Sequence, residues 1–147
     1  MNITPQIYKK MTEKAVPRSN SKVNTLYAFV TGGSICMLGQ LILSAFVNMG
    51  FSEENASTWT SVILVCTSAL LTGLGWYERI AKHAGAGTLV PITGFANAIS
   101  SSAVEARSEG LVTGVGAKIF SIAGPVILYG SSAAFLYGLF YYFASMI

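Results

Sequence analysis

The sequence predicts an all-α integral membrane protein. It should have three transmembrane helices, a broken or re-entrant helical segment around residues 84–104, and a kinked helix from 111. Three observations lead there. Of 147 residues, 52% are hydrophobic and only 10% charged, whereas a soluble domain carries about 25% charged residues. Mean hydropathy is +0.57. Uncharged runs cover residues 23–52, 55–77, 84–104 and 119–147, each reaching the roughly 20 residues that cross a hydrocarbon core.

The charges are concentrated at the start. Lys9, Lys10, Glu13, Lys14, Arg18 and Lys22 crowd the first 22 residues, so the net charge of +3 is a topology signal rather than a nucleic-acid footprint. Basic flanks favour the cytoplasmic side, which places the N-terminus there. The organisation is a basic cytoplasmic segment, 1–24, followed by a single membrane domain, 25–147. A signal peptide would carry an apolar core of about 7–15 residues; the first apolar run is far longer, so a retained span is expected. Within the basic segment, Ile3, Ile7 and Met11 recur every four residues. They suit a short amphipathic helix on headgroups or on a partner, or else a loosely ordered tail.

The first span is expected at about 25–48. Gly32, Gly33 and Gly39 allow close approach of a neighbouring helix, and Gln40 should face protein or water. Residues 49–58 form a polar loop without Lys or Arg, in which Ser52 can cap the next helix ahead of Glu53 and Glu54. The second span, about 57–77, has Trp59 at one end and Trp76–Tyr77 at the other, as an aromatic belt would. Arg79 and Lys82 then return the chain to the cytoplasm.

Residues 84–104 read AGAGTLVPITGFANAISSSAV. Gly85 and Gly87 are cheap places to break a helix. Pro91 removes one donor and disturbs the preceding turn, and Val90 before it is pushed toward extended geometry. Irregular backbone at membrane depth survives only where protein or a wet cavity satisfies it. Two short helices meeting near residues 89–93 are expected, and sequence leaves open whether the segment spans or re-enters. The charged EARSEG at 105–110 lies at an aqueous face. In the final 37 residues, Lys118 and Gly124–Pro125 suggest a short helix at 111–124 and a span at 125–143 anchored by Tyr141 and Tyr142. LLTGLG (70–75) and LVTGVG (111–116) echo each other weakly, as do the Thr-Gly pairs at 31–32 and 93–94. Such echoes belong to repeat-built transporters or arise by chance in a Gly-rich chain.

No hydrolase elbow, phosphate loop, zinc helix or dinucleotide fingerprint is present, and the GxG at 85–87 follows no strand. An enzyme is not expected, nor a cofactor. Cys36 and Cys66 fall in different apolar runs as small hydrophobes, and His83 is the only histidine, which excludes a multi-histidine metal site. A permeation-type site remains. Thr88, Thr93, Asn97 and Ser100 supply hydrogen-bonding groups in an uncharged stretch, and half-helix N-termini favour anions. The candidate path is Gly85, Gly87, Thr88, Pro91, Thr93, Gly94, Asn97 and Ser100, with Lys118 either reaching it or snorkelling to headgroups. Asn97 must pair across a helix interface or with a permeant ligand.

Residues 28–40 (AFVTGGSICMLGQ) and 70–120, above all AGAGTLVPITGFANAISSSAVEARSEG, resemble the SpoVA membrane proteins of endospore-forming bacteria. The likeness runs from about residue 26 onward. The core is similar to the family's AGAG…VP[IV]TGF[AG]N, shared by AC-type and AE-type members, and the basic start before YAFV points to the AC type. The resemblance implies movement of dipicolinic acid, as its calcium chelate, across the inner spore membrane in sporulation and germination, with tension-gated behaviour in AC-type members. It also implies work alongside other SpoVA proteins, among them an AE-type membrane subunit and a soluble dipicolinate-binding subunit. Alternatively, the chain anchors such partners without conducting. Because a few spans enclose little on their own, an oligomer or hetero-complex in the lipid bilayer is expected.

Overall fold

The computed structural model describes Pro5, Tyr8, Met11, Thr12 and residues 20–146. Most of the expected amphipathic segment at 1–16, including Ile3 and Ile7, lies outside the described residues. Apart from short links at 49–52, 74–75, 89–90 and 110, residues 21–145 are helical. α1 is Ser21–Asn48, α2 Glu53–Gly73 and α3 Trp76–Ala84. A 3₁₀ turn at Gly85–Thr88 leads to α4, Pro91–Glu105. A second 3₁₀ turn, Ala106–Glu109, and a wide π turn, Leu111–Gly116, lead to α5, Ala117–Ser145. Three helices are long and apolar enough to cross a membrane: Ser21–Asn48, Glu53–Gly73 and Leu111–Ser145.

Local chemistry accounts for the boundaries. Ser52 caps α2, its hydroxyl accepting from the Asn55 N–H at 3.4 Å with Glu53 and Glu54 in the first turn. α2 stops at Gly73, not at 77, because Gly75 takes a left-handed turn (φ 71°) that side chains avoid. Trp76 and Tyr77 therefore open α3 rather than close the second span. α3 carries Glu78 in its first turn and Lys82 and His83 in its last, which complements its dipole. Tyr77 and Ala84 are buried while the charged residues between them are exposed.

The final helix differs from the expected division at Gly124–Pro125. The change of geometry comes at Gly116, where the π turn gives way to α5, and Pro125 sits inside the helix. Gly114 explains this: a Cβ there would meet the Ala106 carbonyl and lie 2.8 Å from the Glu109 Cβ. The close approach widens the turn, whereas Pro125 costs one hydrogen bond in a helix that continues past it and is kinked.

The relation of α4 to α2 decides the topology. Ser68 donates to the Thr93 carbonyl and Thr72 to the Asn97 amide oxygen, both pairs 25 residues apart. A constant offset means that the two helices run parallel, with Pro91 level with Cys66. α1 is antiparallel to them, Thr31 and Leu38 facing a hollow opposite Leu71 and Leu64. Ser21 and Thr25 share a hollow with Lys82–Ala86, and Gly75 and Glu78 share another with Ser101 and Glu105. The start of α1, the end of α2, all of α3 and the end of α4 thus lie at one face. The segment left open by sequence doubles back within the helix bundle: it reaches the level of Cys66, part-way along α2, at Pro91 and returns as α4 to the end of the bundle it left.

Candidate functional site

The hairpin is a broken backbone whose polar groups are supplied with partners one by one. Gly85 adopts φ 52°, ψ −124°, and its carbonyl accepts from the Thr88 hydroxyl at 3.0 Å. The Ala86 carbonyl accepts from the Leu89 N–H at 3.1 Å. Tyr77, buried in α3, donates its hydroxyl to the Thr88 carbonyl at 2.8 Å. Val90 is extended (φ −61°, ψ 132°), and Pro91 takes the first helical position of α4, where its missing N–H costs nothing. The Val90 carbonyl then accepts the first helical bond, from Gly94 at 2.7 Å. The two helical pieces meet at residues 89–90, within the expected 89–93, because Gly85 turns the chain out of α3 and Pro91 begins the next helix instead of ending the last.

Close approach holds the hairpin against α1. A Cβ on Gly87 would fall 2.8 Å from the Ala28 Cα and collide with the Ala28 carbonyl, and one on Gly32 would stand 3.3 Å from the Gly87 carbonyl. Inside the hairpin, a Cβ on Gly94 would meet the Thr88 carbonyl at 2.9 Å. On the α2 side the contact is a hydroxyl ladder. Ser68, 2% exposed, donates to the Thr93 carbonyl at 2.6 Å. The Thr72 hydroxyl lies 2.7 Å from the Ser68 carbonyl and 2.8 Å from the Asn97 oxygen, its one proton shared between these two acceptors.

These contacts leave an open-sided hollow of about 230 Å³ between α1 and α2, lined on the hairpin side by Tyr77, Thr88 and Thr93. Ile35, Leu38, Leu64 and Leu71 also line it, and no charged residue does. A second hollow, about 430 Å³, lies at the face where α2 ends, bordered by Asn97, Ser101, Glu78 and Glu105. A third, about 480 Å³, is bordered by Asn24, Lys82, His83 and Gly85.

The candidate residues are therefore distributed rather than gathered. Thr88 and Thr93 share the first hollow. Asn97 borders the second and Gly85 the third. Gly87 and Gly94 set close contacts. Pro91 is exposed, Ser100 half-buried, and Lys118 is exposed at the start of α5, bordering none of these hollows. Ser68, Thr72 and Tyr77 were not among the candidates. The signal for two of them was available, since Ser68 and Thr72 stand one turn apart on the same face of an apolar span. Tyr77 reads in sequence as an interfacial anchor, and only the return of the hairpin buries it. Gln40, expected to face protein or water, reaches Ser44 on its own helix at 3.5 Å and borders a hollow shared with Val90 and Ile92. Cys36 and Cys66 are free and exposed, and no group of three potential metal ligands occurs among the described residues.

The sequence profile of the SpoVAC/SpoVAEB sporulation membrane proteins matches residues 24–140. The chain is 43% identical over 133 residues to stage V sporulation protein AC of Bacillus subtilis (strain 168), an alignment covering 90% of this chain and 89% of the relative. No solved structure matches it. The chain belongs to the SpoVAC/SpoVAEB family of sporulation membrane proteins.

Proposed function

We propose that this sporulation membrane protein is a channel or transporter subunit for dipicolinic acid, moved as its calcium chelate across the inner spore membrane. Uptake accompanies sporulation, release accompanies germination, and membrane tension opens the path. The protein performs no chemistry on its cargo. Its basic start lies in the cytoplasm, and its partners are other SpoVA proteins, an AE-type membrane subunit and a soluble dipicolinate-binding subunit among them. Three crossings enclose little volume alone, so the path forms between chains.

The observation that carries this reading is the re-entrant hairpin. An uncharged, interrupted backbone at mid-depth is the device by which membrane proteins offer half-helix ends to a permeant ion. Neutral donors suit a carboxylate-bearing cargo that must also leave, because a fixed cation at that depth would compete for its carboxylates and hold it.

The alternative, a non-conducting assembly subunit, draws support from the fit of Gly87 against Ala28, which is the geometry of a packing interface. Asn97→Leu separates the two. Thr72 keeps its bond to the Ser68 carbonyl when Asn97 is lost, so the fold should survive. Spores whose only copy carries Asn97→Leu are expected to hold normal amounts of the protein, by immunoblot, and little dipicolinate. Normal dipicolinate content would contradict the path reading and favour assembly.

A further inference from the structure

We propose that the basic hollow at the start of α1 and the apolar hollow between α1 and α2 together seat one anionic phospholipid, its phosphate against Lys82 and His83 and an acyl chain along α1. The site needs only the bilayer and this end of the bundle, and it is independent of the cargo.

Charge is the starting observation. The hollow of about 480 Å³ is bordered by Ser21, Asn24 and Thr25 of α1 and by Lys82, His83 and Gly85 across from them. Lys82 and His83 are exposed. No acidic residue lines this hollow, and none stands in the first turn of α1. Glu78 and Glu105 border a separate hollow instead. α3 therefore sorts its charges, Glu78 toward one hollow and Lys82 and His83 toward the other. The His83 Nδ1 lies 3.1 Å from the Arg79 carbonyl. A carbonyl only accepts, so Nδ1 carries the proton there, and Nε2 of the protonated ring is the donor left for an anion. Lys82 adds a point charge suited to phosphate, and the Asn24 amide adds neutral donors. The chain's own start is a poor occupant. Before Asn20 it carries Lys9, Lys10, Lys14 and Arg18 against Glu13 alone, so like charge opposes it.

The apolar hollow supplies the rest of the ligand. Its walls expose only hydrocarbon, from Ile35, Leu38, Leu64, Leu71 and Ile80 among others, and one side is open. A polar solute gains nothing from such walls, whereas an acyl chain is already present in the surrounding bilayer. The two hollows are continuous along one flank. Ala28 borders the basic hollow and Thr31 the apolar one, a turn apart on α1; His83 and Ile80 repeat the step on α3. From Ala28 to Leu38 the helix rises about 15 Å, which is one leaflet of a hydrocarbon core about 30 Å thick. Basic pockets between transmembrane helices hold anionic headgroups in this manner.

The test uses the full chain in detergent, titrated with phosphatidylglycerol or phosphatidylcholine of identical oleoyl chains, bound lipid being read by native mass spectrometry. The wild type is expected to bind phosphatidylglycerol more tightly. Lys82→Gln should weaken phosphatidylglycerol about fivefold and leave phosphatidylcholine unchanged. Lys118→Gln removes an exposed cation that borders neither hollow, and should change neither lipid. Leu71→Trp, which narrows the apolar hollow, should weaken both. Lys82 is exposed, so its substitution keeps the fold and decides the headgroup by itself. For the chain, glycerol 3-phosphate, a headgroup without hydrocarbon, should fail to displace phosphatidylglycerol from the wild type at equal concentration. Equal binding of the two lipids by the wild type, or equal losses from Lys82→Gln and Lys118→Gln, overturns the headgroup site. Displacement by glycerol 3-phosphate would make it a site for free anions, and phosphatidylglycerol binding that survives Leu71→Trp would remove the acyl chain from the hollow; either overturns the lipid site.

Discussion

The hairpin and the last helix both carry glycine at frequent intervals, yet the residue does opposite work in each. In the hairpin, the place a Cβ would occupy at Gly87 or Gly94 is taken by the backbone of Ala28 or Thr88. In α5, Gly124, Gly130 and Gly138 have nothing within 4 Å, and every described residue from 125 on is exposed. One region spends its small residues on contacts within the chain. The other holds them on a surface that faces lipid or a further helix. Small residues in a membrane chain thus mark close approach only where the topology brings a second backbone to them, and it is the return of α4 alongside α2 that does so here.

Substitutions can break or sharpen that contrast. Gly87→Val should have the largest effect, because it drives a branched side chain into the α1 backbone. A loss of about 3 kcal/mol, at the upper end for overpacking, should appear as a large fall in thermal stability in detergent and in membrane abundance. Near-normal melting would mean that the hairpin does not press on α1. Thr93→Val should shift stability the other way, by about 1–2 kcal/mol, since it removes a buried hydroxyl without a partner. A lower melting temperature in the absence of any ligand would show that the hydroxyl is already satisfied. Ser68→Ala deletes a donor to the Thr93 carbonyl and is expected to cost about 1 kcal/mol, read by the same melt. Gly130→Ala, on the open helix, should change little or stabilise by up to about 1 kcal/mol through helix propensity. A marked loss there would instead reveal a tight contact made by α5.

Much of this was legible in the sequence, and the limits have physical causes. Length and hydropathy suffice for the three crossing helices because a lipid-exposed span needs only apolar residues in sufficient number. The interruption at 85–91 is equally visible, since Gly85 and Pro91 act locally. What local chemistry cannot state is where the interruption is placed in depth and which way the chain then runs. That information lies in pairs 25 residues apart, Ser68 with Thr93 and Thr72 with Asn97, in which neither member is unusual alone. The same holds for Tyr77. An aromatic at the end of a span suits the interface, and only the hairpin folding back over it supplies the Thr88 carbonyl. Sequence divides the last helix at Pro125 because proline is the stronger local breaker. The geometry changed instead at Gly114–Gly116, where a neighbouring backbone crowds the chain.

The central claim is that residues 76–110 leave and return to a single face. It is tested most directly by accessibility in oriented membrane vesicles. In a chain with Cys36 and Cys66 replaced by Ser, single cysteines would be introduced as Asn20→Cys, Glu53→Cys and Ser108→Cys and exposed to a membrane-impermeant maleimide from one side. Re-entry predicts that Ser108→Cys labels together with Asn20→Cys and opposite to Glu53→Cys. Labelling of Ser108→Cys from the Glu53 side would make the segment a full crossing and contradict the account.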